Sequence, residues 1–331
     1  MALTINNLIS DQTGFPAFAG GGPRLLGFAT PDEIQVGNGN LSSFPWGVWG
    51  LDGNDTIGGS SDSNERLLGN NGNDVIGGGG GNDIIYGGKD NDRLDGNDGN
   101  DVVRGDAGND IIFGGFGNDI LRGGQGDDDL DGNEGNDVVR GDAGSDVIFG
   151  GFGNDLLRGG QGDDDLDGNE GNDVVRGDAG NDIIFGGFGN DLVRGGQGDD
   201  DLEGNEGNDF MVGDRGVDVL TGSSGADIFV LRSNEGFGVN AADVITDFRF
   251  DEGDRIGLTD GLTELDLLFT DDNLIAYDND GIVNDMVILN RRNGQIVGVV
   301  LNADSFELVG AFEQASPFAL AINGSQFQFL A

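Results

Sequence analysis

An all-β fold is predicted for this sequence: a parallel β-roll of stacked coils, with an N-terminal cap and a β-rich C-terminal capping region. Three observations predict it. A nine-residue period runs without a slip from Gly69 to Val230, eighteen units in succession. Glycine supplies 67 of the 331 residues and proline only five, which suits tight turns and excludes a collagen. The eighth residue of every unit is apolar, from Ile76 to Phe229, an order that a disordered acidic chain has no need of.

The first region, residues 1–50, holds Phe15, Pro16, Phe18, Leu25, Leu26 and Phe28 as its main apolar residues. That is too few to enclose a catalytic domain. Its expected task is to cover the open end of the first coil, whose strand edges would otherwise face water unpaired. Met1 to Phe18 has neither the basic start nor the continuous apolar core of a cleaved secretory signal. The expectation is a protein that stays inside the cell or leaves by a route that needs no such signal.

The roll itself is expected over residues 51–230. Its first copies are worn: LDGNDTIG keeps Asp55 and Ile57 in place, and Glu65 with Leu67 stands in frame with the longer acid. From Gly69 each unit opens with glycine, and its fourth residue is glycine everywhere except at Asp90. Glycine at these two places permits positive φ, so the first six residues are expected to turn with carbonyls inward and the last three to form a short strand. In a strand the eighth residue points away from the seventh and ninth, so one apolar residue per unit fills a thin core. Two units then make one flattened coil of eighteen residues. Coils pair about 4.8 Å apart, so nine of them reach on the order of 43 Å.

The sixth residue of every unit is aspartate: Asp74, Asp83, Asp92, Asp101, Asp110, Asp119, Asp128, Asp137, Asp146, Asp155, Asp164, Asp173, Asp182, Asp191, Asp200, Asp209, Asp218 and Asp227. Stacking sorts them into two columns, one along each edge, in which carboxylates about 4.8 Å apart repel. A hard divalent cation between successive turns reverses that repulsion, and calcium suits it better than magnesium because it takes six to eight oxygens in a flexible geometry. These eighteen aspartates are the candidate metal ligands. The chain has no histidine and no cysteine, which argues against softer metals and removes thiol, Ser-His-Asp and zinc-peptidase chemistry.

GGFGNDILR, GGQGDDDLD and GNEGNDVVR resemble the GGxGxDxUx nonapeptide of RTX (haemolysin-type) calcium-binding proteins. The resemblance covers about half the chain in strict register. It implies multiple bound Ca2+ ions, and a chain that is disordered without calcium and folded with it.

Residues 105–140, 141–176 and 177–212 are near copies, a second period of 36. On one side of the coil the ninth positions are Arg104, Arg122, Arg140, Arg158, Arg176 and Arg194, beside an aliphatic column from Val102 to Leu192. An arginine ladder is unfavourable unless acids or a partner intervene, so this Arg/aliphatic side is the candidate face for a cell surface or for self-association. The other reading is that the arginines lie over the aliphatic stripe and offset nearby acids. The opposite side alternates Phe113, Asp131, Phe149, Asp167, Phe185 and Glu203, and Phe116, Phe152 and Phe188 sit at turns.

The last region, residues 231–331, has fewer glycines. DVITDFRFDEGDRIGL (243–258) resembles the segment that follows RTX repeats, and 286–289 with 296–301 reads as a β-hairpin around Asn293-Gly294. The tail SQFQFLA is similar in kind to the family's uncleaved C-terminal signal, which implies type I secretion machinery as a partner and calcium-driven folding outside the cell. The net charge is −45, from 61 acids against 16 bases. Such a polyanion repels nucleic acid, and no apolar run is long enough to span a membrane. The expectation is a secreted or cell-surface calcium-binding protein without enzyme activity. The alternatives are a surface adhesin or ice-binding module, for which the turns lack a rank of threonine, and an auxiliary module of an RTX exoenzyme, which the missing histidines disfavour.

Overall fold

A computed structural model describes residues 2–5, 25–26, 31–36, 47–231, 242–258, 267–270, 286–290, 296–301 and 312–314. Successive strands as far as Arg255–Leu258 fall alternately into two sheets, one of 16 strands and one of 14, and Leu267–Thr270, Met286–Asn290 and Ile296–Val300 then all join the larger. Within the repeats every pairing is parallel, and each strand meets the one two units further on, so that Val103 pairs with Leu121 and Ile112 with Leu130. The eighteen-residue coil read from the period is therefore the observed unit. Among the described residues there is no helix, hence none long and apolar enough to cross a membrane.

The strands are longer than the three residues expected. From Arg66–Asn71 to Phe210–Arg215 each runs six, such as Val102–Ala107 and Ile111–Phe116, because residues one to three of the next unit continue the ladder before the chain turns. Only residues four to six remain as the corner.

The backbone also differs from the expectation at the first glycine. Positive φ falls on the second and fourth residues of each unit, for example Asn133 at 70° with Gly135 at 145°, and not on the first. The second residue is always Gly, Asn, Asp or Ser, the types that tolerate left-handed backbone. The first glycine is needed for space. A Cβ on Gly132 would stand 2.5 Å from Asp137 Oδ2 and 2.5 Å from the carbonyl oxygen of Gly150 in the next coil.

All eighteen eighth-position residues are buried to within 1%. They form one continuous core file extended by Ile57, Val48 and Ile34 towards the N-terminus and by Ile245, Ile256 and Val300 towards the C-terminus. At about 25 cal/mol per Å² such a file contributes steadily along the axis. Each coil adds only two such side chains, so turns must supply the rest.

Both ends continue the solenoid. Ala2–Ile5 pairs parallel with Glu33–Val36, and Leu25–Leu26 with Val48–Asp52. Phe15, Pro16, Phe18 and Phe28 lie outside the described residues. At the other end Met286–Asn290 runs antiparallel to Ile296–Val300, as the hairpin reading expected, with an irregularity between Ile288 and Leu289. Its connection at 291–295 and the tail 325–331 lie outside the described residues.

Candidate metal centre

The two aspartate columns form as the period requires. Each predicted ligand is at most 3% exposed. One carboxylate oxygen of each ties neighbouring coils together: the Asp119 N–H donates to Asp137 Oδ1 at 2.7 Å, and the Asp128 N–H to Asp146 Oδ1 at 2.8 Å. The carbonyl of the same residue accepts from the other side, with Val138 N–H donating to Asp119 O at 2.9 Å. The corner is held by backbone and by half of each carboxylate.

The other half has no partner. Oδ2 of every predicted ligand from Asp74 to Asp218 is buried without a hydrogen bond, and so is Oδ2 of Asp55. Asp227 stands apart, since its Oδ1 takes the Asp209 N–H at 2.9 Å but its Oδ2 is not among these oxygens. An unsatisfied buried carboxylate oxygen costs several kcal/mol in order of magnitude, and a regular column of them is a strong demand for a cation.

Burial pushes these carboxyls up from 3.8 and the N–H donors pull them back in part; at Asp92, Asp101, Asp128, Asp137, Asp164, Asp173 and Asp200 column neighbours push them up again. Asp92, Asp164, Asp173 and Asp200 reach about 8, Asp101, Asp128 and Asp137 about 7, and Asp110, Asp119 and Asp146 about 6. For Asp218, also raised to about 8, the second cause after burial is the charge of Asp243. Without a counter-charge, burial shifts the folded columns towards the protonated form.

The donor set is oxygen throughout. Among the described residues no group of three or more acidic side chains gathers at one point. In the column that runs from Asp83 to Asp209 the unpaired Oδ2 stands instead close to a backbone carbonyl of the next coil, as Asp101 Oδ2 and Gly114 O do at 2.5 Å each from the place a Gly96 Cβ would occupy. Single carboxylates among carbonyls are the hard, irregular oxygen surroundings that calcium accepts and that magnesium, wanting a strict octahedron, accepts poorly. The residues present fit the ion.

Three features go beyond the candidate ligands. Asp55, which LDGNDTIG keeps in place in a worn copy and which is not among the eighteen candidates, belongs with the orphan oxygens. Fifth-position asparagines make a second ladder at the rim: the Asn136 and Asn154 N–H groups donate to Asn118 and Asn136 Oδ1, at 2.7 and 2.8 Å. Glu65 replaces aspartate and is fully served by protein groups. Ser60 N–H reaches Oε2 at 3.0 Å, and the Ser60 and Ser63 hydroxyls reach Oε1 at 2.9 and 2.6 Å. That corner asks for no cation.

The arginine column is partly compensated from within. Arg122 pairs with Asp142, Arg158 with Asp178 and Arg194 with Asp214, one coil away. Arg104 and Arg176 reach Asp106 and Asp178 at 2.6 and 2.7 Å in their own strands. Acids therefore intervene in the ladder, as the offsetting reading expected.

Comparison with a known repeat family agrees with this geometry. The profile of the RTX calcium-binding nonapeptide repeat (four copies) matches in overlapping blocks at residues 60–94, 86–121, 95–130, 122–157, 131–166, 158–193, 167–202 and 194–229. No curated protein matches the chain. Among solved structures, a hyperactive, Ca2+-dependent, β-helical antifreeze protein from an Antarctic bacterium is similar at 19% identity, over 75% of this chain and 96% of its own, with a TM-score of 0.49.

Proposed function

Since the chain belongs to the RTX calcium-binding nonapeptide repeat family, and so binds calcium, we propose that it is a non-enzymatic secreted protein whose roll folds on calcium met outside the cell. The observation that carries the reading is the column of buried, unpartnered Oδ2 atoms from Asp55 to Asp218. Asp74 to Asp227 at every ninth position are the proposed ligands, with Asp55 joining them. When bound, calcium supplies a hard double charge that these oxygens and the adjoining carbonyls share.

The chain's own groups set up the demand. Oδ1 fixes each carboxylate to the coil before, the first glycine leaves room beside Oδ2, and burial removes the water that would otherwise serve it. In a low-calcium cytosol the columns repel and the chain stays extended enough to pass a secretion channel. Outside, binding free energy becomes folding free energy. Residues 1–50 and 231–331 serve as caps on the roll at 51–230, and the C-terminal end carries the export signal for a type I machinery.

The test is a titration of calcium into chelator-treated full-length protein at neutral pH, followed by circular dichroism and heating. Calcium at millimolar concentration should raise the β signal and the melting temperature, and magnesium should not. A chelated sample as β-rich and as heat-resistant as the calcium-loaded one would overturn the reading. Deleting residues from 303 onward should stop export while leaving calcium-driven folding in place.

A further inference from the structure

We propose that the two broad faces of the roll are complementary, so that the phenylalanine face of one calcium-loaded copy docks on the arginine face of a second. The inference rests on the folded roll proposed above and goes beyond it by naming the partner.

On the first face, apolar and acidic rungs alternate. Ile111, Phe113 and Phe116 pair with Asp129, Asp131 and Glu134, and these with Val147, Phe149 and Phe152. Phe116, Phe152 and Phe188 are exposed by 56–57%, and three aromatic rungs left in water cost free energy unless covered. The six strands from Ile111–Phe116 to Asp201–Glu206 carry nine acids and no Lys or Arg.

The second face is the opposite. The six strands from Val102–Ala107 to Leu192–Gln197 carry one arginine each, in register from Arg104 to Arg194, against three aspartates. Arg122 and Arg158 keep nearly half of their side chains exposed although paired, and Arg140 is exposed as well. Charge is complementary between the faces, nine negative against a net three positive.

The periods match too. Both faces repeat every 36 residues, or two coils, which places like rungs about 9.6 Å apart. A second copy has the same spacing and the same twist, so contacts made at one rung recur at the next. The chain already shows the local contact required: the Arg93 guanidinium carbon lies 4.7 Å from the centre of the Phe113 ring in the neighbouring rung, an attraction that strengthens as water leaves.

Six strands of six residues offer about 20 by 29 Å, roughly 600 Å² per partner, near the lower bound for a specific interface. The association should therefore be reversible and weakened by salt. Joining unlike faces leaves one of each free, so copies add side by side without closing.

Sedimentation of the calcium-loaded full chain tests this over a range of concentration and salt. Two variants are compared, Arg122→Glu with Arg140→Glu, and Phe152→Asp with Phe188→Asp, each checked by circular dichroism in calcium. Wild type should form a concentration-dependent series of oligomers that high salt dissociates. Each variant alone should associate about tenfold or more weakly, and an equal mixture of the two should stop at a dimer, because each retains one intact face. A monomer at every concentration, variants that associate as wild type does, or a mixture that forms no dimer would overturn the proposal. Folding and association without calcium would overturn the calcium reading and leave this one standing.

Discussion

Asp137→Asn separates the two duties of a column aspartate, because it keeps one oxygen and alters the other. The amide oxygen of the variant can still accept the Asp119 N–H, a bond made at 2.7 Å in the native chain. The orphan Oδ2 becomes an NH2 group beside the Gly150 carbonyl, and the carboxylate charge disappears. With calcium a hundredfold above its dissociation constant, one site contributes about 2.7 kcal/mol. Losing a charged ligand should therefore destabilise the roll by up to about that amount. Without calcium the sign reverses. Burial, aided by the charges of Asp155, Asp119 and Asp131, raises the Asp137 carboxyl from 3.8 to about 7. Ionising it in the fold above that pH costs at most about 4 kcal/mol, at 1.36 kcal/mol per unit, and the amide escapes this cost.

Urea unfolding followed by circular dichroism measures both arms, one in millimolar calcium and one in chelator, with trimethylamine oxide added to favour the compact state. The expected result is a lower midpoint than wild type in calcium and an equal or higher one in chelator. The same loss in both arms would mean that the carboxylate of Asp137 stabilises the fold by a route that does not involve calcium. No loss in calcium would mean that it is not a ligand, and the reasoning from orphan oxygens would fail.

Glu65→Gln is the matched contrast: its oxygens are served by Ser60 and Ser63, so a loss of about 1–2 kcal/mol should be equal with and without calcium in the same urea series. In chelated protein the raised carboxyls contribute stability that is fully present below 3.8 and is lost as pH rises through about 6 to 8. Circular dichroism should therefore find more β-structure at mildly acid than at mildly alkaline pH. In calcium the dependence inverts, because protons compete for the same oxygens, and calorimetric titration should show weaker binding as pH falls through that window. Gly135→Ala would place a Cβ 1.4 Å from the Gly117 carbonyl oxygen at a φ of 145°. The coils must part there, so a loss above about 3 kcal/mol and a split of the melt into two steps are expected by calorimetry.

The coil was legible because its signals are local and repeated. Fixed apolar spacing from Ile76 to Phe229 sets the inward face, and the aspartate period sets the two columns. What stayed hidden depends on the neighbouring coil. Gly132, the first residue of its unit, looks in sequence like a turn residue, and only the Gly150 carbonyl and the Asp137 carboxylate standing beside it reveal a need for space. The strands are longer than read because residues such as Asp106 and Ala107 pair with the next coil, and local preference marks them as turn. Arg122 finds its acid twenty residues on, at Asp142, an offset that a column of like charges conceals. Glu65 reads as a worn aspartate, and the serines that serve it stand where the first and fourth glycines of the unit would be.

Charge connects the columns to the faces. One dication for each of the eighteen orphan oxygens would bring 36 positive charges against the −45 of the chain, leaving −9. Before that compensation, two copies repel whatever their surfaces offer, and rungs such as Phe152 and Glu134 do not exist as a face because no coil holds them in register. Afterwards the mean repulsion is small, and the uneven split between an acidic phenylalanine face and a basic arginine face can direct approach within a Debye length of about 8 to 10 Å. The ion that closes each corner is thus also what makes two such polyanions able to meet. Folding should precede association along any calcium titration, and a chain that assembled at lower calcium than it folded would contradict that order.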